Sequence, residues 1–119
     1  MVCHGGSGTV RQGLAAGVPL VVLPLFADQP ENARLVHGLG AGIALQLHGS
    51  ARATVDDALV CLDRLPGAVR AVLAGPAYHA VAGRVAAEAA ALAPIDDVVP
   101  LLHGLARARR DFASIPAGM

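Results

Sequence analysis

The 119-residue sequence predicts an α/β fold: a small parallel sheet at the N-terminal end followed by a run of C-terminal helices. Three observations predict it. Met1-Val2-Cys3 reads as the end of a short apolar strand, and a glycine-rich turn, Gly5-Gly6-Ser7-Gly8, leads from it into a helical pattern. Leu20-Val21-Val22-Leu23 is a continuous apolar run without polar alternation, as expected of a parallel strand covered on both faces. Strand, helix and strand within the first 23 residues make one right-handed βαβ unit.

The elements follow in order. From Ser7 to Ala16, Val10, Leu14 and Ala15 fall at helical spacing; Gly17 is placed to end the helix and Pro19 to prevent its resumption. After the second strand, Leu25 to Gln29 is a loop at the edge where open α/β sheets bind ligands. A second helix runs from Pro30-Glu31 to Leu39 and is stopped by Gly40 and Gly42, and Ile43 to Leu47 is a third strand at the sheet edge. Beyond His48-Gly49-Ser50, Thr54 to Asp57 is a capping box, and Val55, Ala58, Leu59, Leu62 and Leu65 form an apolar stripe. Pro66 and Pro76 punctuate further helices over Gly67–Leu73 and Ala77–Leu92. A last helix spans Ile95 to Leu105 with Pro100 in its first turn, and Arg107 to Met119 is expected to be a frayed tail. One domain over residues 1–106 and a disordered 107–119 follow.

Composition excludes several classes. Nine basic and nine acidic residues cancel, and aromatics are 3%, so there is neither a field nor a stacking platform for nucleic acid. The longest apolar run, Leu14 to Ala27, is broken by Gly17, Pro19 and Pro24 and is too short to span a bilayer. Two widely spaced cysteines and no signal peptide point to a reducing, cytoplasmic setting. No spacing typical of metal ligands occurs, so no metal or cofactor is expected.

The chemistry concentrates in the first 33 residues. A helix N-terminus behind a glycine turn presents unpaired N–H groups and the positive end of the helix dipole, a site suited to phosphate. His4 stands at its lip, and Gly6, Ser7, Gly8 and Thr9 supply backbone and hydroxyl groups. The plainer alternative is a tight turn in which Ser7 or Thr9 caps the helix. Asp28 and Gln29 lie beyond the second strand, where a carboxylate and an amide can hold vicinal hydroxyls. Here the alternative is that Asp28-Gln29-Pro30-Glu31 is only a capping box.

Taken together, His4-Gly5-Gly6-Ser7-Gly8-Thr9, Gly17-Val18-Pro19, Pro24, Asp28-Gln29 and Asn32-Ala33 resemble the donor-binding, C-terminal half of the GT-B nucleotide-sugar glycosyltransferases. The similar branch comprises bacterial antibiotic-type and plant secondary-metabolite enzymes, and weaker likeness continues through Gly40-Ala41-Gly42 and Gly75-Pro76-Ala77-Tyr78. The resemblance implies a partial Rossmann-like sheet and transfer of a sugar from a nucleoside diphosphate donor, a UDP- or dTDP-sugar, to an acceptor hydroxyl. It implies that the diphosphate rests on His4 and the glycine turn, and the sugar on Asp28 and Gln29, with Asn32 supporting the loop. At Gln12 the plant-type relatives place a ribose-holding glutamate; the amide here fits a deoxyribose donor or is a surface glutamine. The acceptor-binding half expected of such enzymes is missing from the 119 residues, and with it the general base. The chain is therefore expected to be a truncated, inactive module that self-associates through an exposed sheet edge. A noncatalytic nucleotide-sugar-binding partner and a GT-B-fold sugar epimerase fragment are the rival expectations.

Overall fold

The computed structural model describes residues 1–45 and 55–113. Strand β1 (Val2–Cys3) leads through the glycine turn into helix α1 (Ser7–Ala15), then β2 (Leu20–Val22), α2 (Gln29–Leu39) and β3 (Gly42–Ala44). Helices α3 (Val55–Ala74) and α4 (Pro76–Ala90), a 3₁₀ turn (Ile95–Asp97) and α5 (Val98–Ala113) complete the chain. The three strands lie in the order β1-β2-β3, both pairs parallel, with Val2 opposite Val21 and Val21 opposite Ile43. The predicted α/β class is the observed one.

Each strand step to the next passes through a helix, and both steps run in the same direction across the sheet. Right-handed crossovers then put α1 and α2 on one face. The side chains agree. Leu20 and Val22 point to the face covered by Leu14 of α1, Ala33 and Val36 of α2, and Ala82 of α4. Val21 points to the other face, onto Cys61, Ala68 and Val72 of α3. All three β2 residues are buried, which is why this stretch shows no alternation. Gly17, at φ 69°, follows α1 as expected and its N–H bonds to the Leu14 carbonyl; Gly40, at φ 74°, ends α2.

Three expectations need correction. Pro66 does not divide two helices but lies inside α3. Proline removes one backbone bond and costs roughly 3 kcal/mol in a helix interior. Pro66 and Leu62, whose carbonyl loses its partner, are on the exposed side of α3, where water can take over. Cys61, Leu65, Ala68 and Val72 pack on the sheet from both sides of the proline and keep the helix in line. The buried stripe is accordingly this one, while Leu59 and Leu62 are exposed. At the C-terminal end the helix continues to Ala113, past the point where the apolar spacing stops at Leu105 and past Arg107, where a tail was expected. The third strand begins at Gly42, one residue before its expected start, and runs to Ala44 within the described residues. Gln46, Leu47, His48 to Ser50, Thr54 and the last six residues of the expected tail lie outside the described residues.

Candidate functional site

The site forms at the carboxyl ends of β1 and β2, where the turn after Cys3 and the loop after Val22 face each other. Gly5 is buried with φ 90°, and a Cβ on it would lie 2.8 Å from Val22 Cγ1 and 3.1 Å from the Gln29 carbonyl oxygen. Only glycine fits both the backbone angle and the space. The chain can therefore turn tightly enough to aim α1 outward at the strand ends.

The first helical bond of α1 is donated by Val10 N–H to the Gly6 carbonyl, at 3.0 Å. The N–H groups of Ser7, Gly8 and Thr9 precede it and have no acceptor within the helix. Gly6 is the cap residue, and no side chain caps it. This corrects the capping alternative for Ser7 and Thr9. The imidazole of His4, exposed at the turn, folds over Gly6: a Cβ there would stand 2.8 Å from His4 Nε2. The end of α1 is thus an open set of N–H donors with one imidazole beside it.

The Ser7 hydroxyl, not needed as a cap, donates to Asp28 Oδ2 across 21 residues of sequence. Asn32 Nδ2 donates to the same oxygen at 3.0 Å and to the Gly5 carbonyl at 2.8 Å, with Ser7 Oγ a further 3.3 Å away. The capping-box alternative for Asp28 is corrected as well. No side chain caps α2, and Glu31, the far member of that box, pairs instead with Arg34. Asp28, Ser7, Asn32 and the Gly5 carbonyl form one hydrogen-bonded group that ties the turn to the first turn of α2.

Gln29 is buried, and its Oε1 accepts from the backbone N–H groups of Leu25, at 2.9 Å, and Phe26, at 3.2 Å. It braces the loop that carries Asp28. The same loop holds Ala27 at φ 56°, the one non-glycine in the left-handed region among the described residues. Strain of this kind persists where surroundings over-determine the backbone, commonly at functional sites. Gln12 is exposed on α1, five residues past Ser7 and apart from the hydrogen-bonded group. Among the described residues no three of His, Cys, Asp and Glu come together as metal ligands, and no helix is long and apolar enough to cross a membrane.

Three features were not anticipated from the sequence: the Ser7–Asp28 bond, the bond from Asn32 to Gly5, and the strained Ala27. The one available signal was Asn32 itself, a residue rare in the interior of helices, placed four after an aspartate.

The Asp28 carboxyl is held below its ordinary value of 3.8, first by the Ser7 hydroxyl, then by the Asn32 amide and its own backbone N–H, and last by His4. These donors favour the ionised form. A carboxylate with a depressed pKa in the folded state contributes stability above its unfolded pKa, and that contribution is lost as pH falls through the folded one. The tie between turn and α2 should therefore hold at neutral pH and release only below about pH 4. Nuclear magnetic resonance of the Ser7 and Asn32 side chains across an acid titration checks this: shifts that change between about pH 7 and pH 5 would refute it.

The pattern of the C-terminal domain of erythromycin biosynthesis protein CIII-like proteins matches residues 1–105. The elloramycin glycosyltransferase ElmGT of Streptomyces olivaceus is 39% identical over 103 residues, covering 87% of this chain and 23% of the relative. Among solved structures, the spinosyn rhamnosyltransferase SpnG superposes with a TM-score of 0.71 at 27% identity, over 86% of this chain and 25% of that one. Os79 from O. sativa, solved in complex with UDP, superposes with a TM-score of 0.52 at 28% identity, over 71% of this chain and 18% of its own. The chain thus spans about a quarter or less of the length of these relatives.

Proposed function

Because the chain belongs to the family of the erythromycin biosynthesis protein CIII-like C-terminal domain, the donor-binding domain of GT-B glycosyltransferases, we propose that its open site binds a nucleoside diphosphate sugar. One observation carries the reading. At the carboxyl edge of a parallel sheet, the unpaired N–H end of α1 and His4 face a carboxylate that is ionised and held in place by Ser7 and Asn32. An anion-binding end and a hydroxyl-binding carboxylate side by side match a ligand that is diphosphate at one end and polyol at the other.

In this reading the diphosphate lies on the N–H groups of Ser7, Gly8 and Thr9, with the His4 imidazole as a further donor. Transfer breaks the bond between the anomeric carbon and the β-phosphate oxygen and forms one to an acceptor oxygen, whose proton passes to a base. Negative charge grows on the departing diphosphate, where donors fixed by the fold stabilise it without rearranging. Asp28 accepts from sugar hydroxyls, and with Oε1 of Gln29 engaged in the loop, its amide NH₂ is the end left to donate to them. Gln12, exposed on α1, is proposed to contact the ribose of a uridine or thymidine nucleotide. Donor binding is the function proposed for these 119 residues. Sugar transfer to a small-molecule acceptor is proposed for the larger enzyme in which relatives carry this domain. Cys3 and Cys61 are not joined in a disulfide, which fits a reducing, cytoplasmic setting.

Substituting Asp28→Asn separates the two ends of the ligand. The variant is expected to lose about tenfold in affinity for UDP-glucose or a dTDP-sugar, one hydrogen bond to a charged group, while affinity for UDP or dTDP is unchanged. Calorimetric titration of the wild-type chain and the variant with both members of each pair measures it. Equal losses for the sugar nucleotide and the bare diphosphate would sink the sugar-binding role of Asp28.

A further inference from the structure

We propose that Asn32 is a positioning residue that sets the diphosphate turn in register with the sugar-contacting carboxylate; the proposal rests on the donor-site reading above. Three observations support it. Asn32 Nδ2 reaches both the Gly5 carbonyl, at 2.8 Å, and Asp28 Oδ2, at 3.0 Å. Gly5 is the residue whose left-handed φ directs the turn, so holding its carbonyl fixes where the next N–H groups point. Asp28 is exposed at the end of its loop, and a carboxylate so placed would rotate freely without partners.

The residue type suits the task. One amide nitrogen carries two hydrogens in a fixed plane and can donate to two acceptors at once. Aspartate would bring only acceptors at neutral pH, and serine a single proton. With Ser7 and Asn32 both donating to Oδ2, the two residues together fix the orientation of the carboxylate. Asn32 stands in the first turn of α2, anchored by its own N–H to the Asp28 carbonyl at 3.1 Å and by the adjacent, fully buried Ala33. The diphosphate and sugar ends of the site are therefore adjusted through one side chain that touches neither end of the ligand. A donor whose sugar and diphosphate do not fit this one spacing is disfavoured, which makes Asn32 a contributor to selectivity.

The test uses the 119-residue chain as Asn32→Ala and, in case that variant does not fold, as the isosteric Asn32→Asp. Affinities for UDP and UDP-glucose are measured by calorimetry at pH 7 and pH 5, and the Asp28 carboxyl carbon is titrated by nuclear magnetic resonance. In Asn32→Ala the preference for the sugar nucleotide should fall about tenfold, to the level of Asp28→Asn, and the Asp28 titration should move upward. In Asn32→Asp two carboxylates face each other and share protons, so sugar-nucleotide affinity should recover as pH falls from 7 to 5 while wild type stays flat over that range. A merely structural asparagine would lower both affinities together and leave both pH profiles flat. A wild-type preference in Asn32→Ala, or an unmoved Asp28 titration, overturns the proposal. If Asp28→Asn reduces the preference and Asn32→Ala does not, the positioning role alone fails. If Asp28→Asn leaves the preference intact, or the wild-type chain binds neither ligand, the donor-site reading fails and takes this one with it.

Discussion

Gly42→Ala is expected to cost at least 3 kcal/mol of folding stability and to lower the melting temperature by roughly 10–20 °C. Gly42 pairs with Leu20 in the sheet, and a Cβ built on it would stand 2.0 Å from the Leu20 carbonyl oxygen and 2.8 Å from its carbonyl carbon. The obstacle is backbone, which cannot rotate away as a side chain can. Leu20 is itself wholly buried and donates its N–H to the Ala41 carbonyl, so β2 has no room to retreat. Either β3 leaves the sheet or the core opens. A domain of this size has about 5–15 kcal/mol to lose in all. Gly38→Ala is the contrast, since nothing lies within 4 Å of its Cβ position near the end of α2. It should leave stability unchanged or raise it by up to about 1 kcal/mol. Thermal melts of the two variants followed by circular dichroism decide the matter. A Gly42→Ala protein that melts with the wild type would contradict the sheet register.

His4→Ala should weaken binding of UDP or dTDP by about ten- to a hundredfold, the loss of one contact to a charged group worth on the order of 1.5–3 kcal/mol. Folding should be nearly untouched. The imidazole is exposed and rests on Gly6, while the turn is held by Gly5, Val22 and Asn32. Calorimetry gives the affinity and a melt gives the stability. Wild-type diphosphate affinity in His4→Ala would remove His4 from the site, and a large fall in melting temperature would make its role structural.

Local signals carried the architecture well where each element announces itself. Gly17 and Pro19 close α1 because a left-handed residue and a missing N–H act within a few positions. Leu20 to Val22 reads as a central strand because covering both faces leaves an unbroken apolar run. Pro66 misled for the opposite reason. Its effect on a helix is decided by what packs on either side, here Cys61 and Ala68 on Val21 and its neighbours, and no window around the proline contains the sheet. The same limit applies to the site. His4, the glycine turn and Asp28 could be picked out by type and by their place at strand ends. The pairing of Ser7 with Asp28 and of Asn32 with Gly5 could not, because these partners meet only in three dimensions. Local rules favoured helix caps for both Ser7 and Asp28, and tertiary partners claimed them instead.

The reach of those two bonds also dictates when the site can exist. Asn32 and Gly5 are 27 residues apart, and Ser7 and Asp28 are 21. The pairing of Val2 with Val21 closes a loop of similar length, so the two bonds share the entropy cost of that closure. The chain must first seat β2 beside β1 and dock α2 before Asn32 can find the Gly5 carbonyl. The hydrogen-bonded group is therefore complete only when both strands and α2 are in place. Changes at Ser7, Asp28 or Asn32 are expected to speed unfolding and leave the folding rate nearly alone, and stopped-flow folding and unfolding of the variants measures both rates.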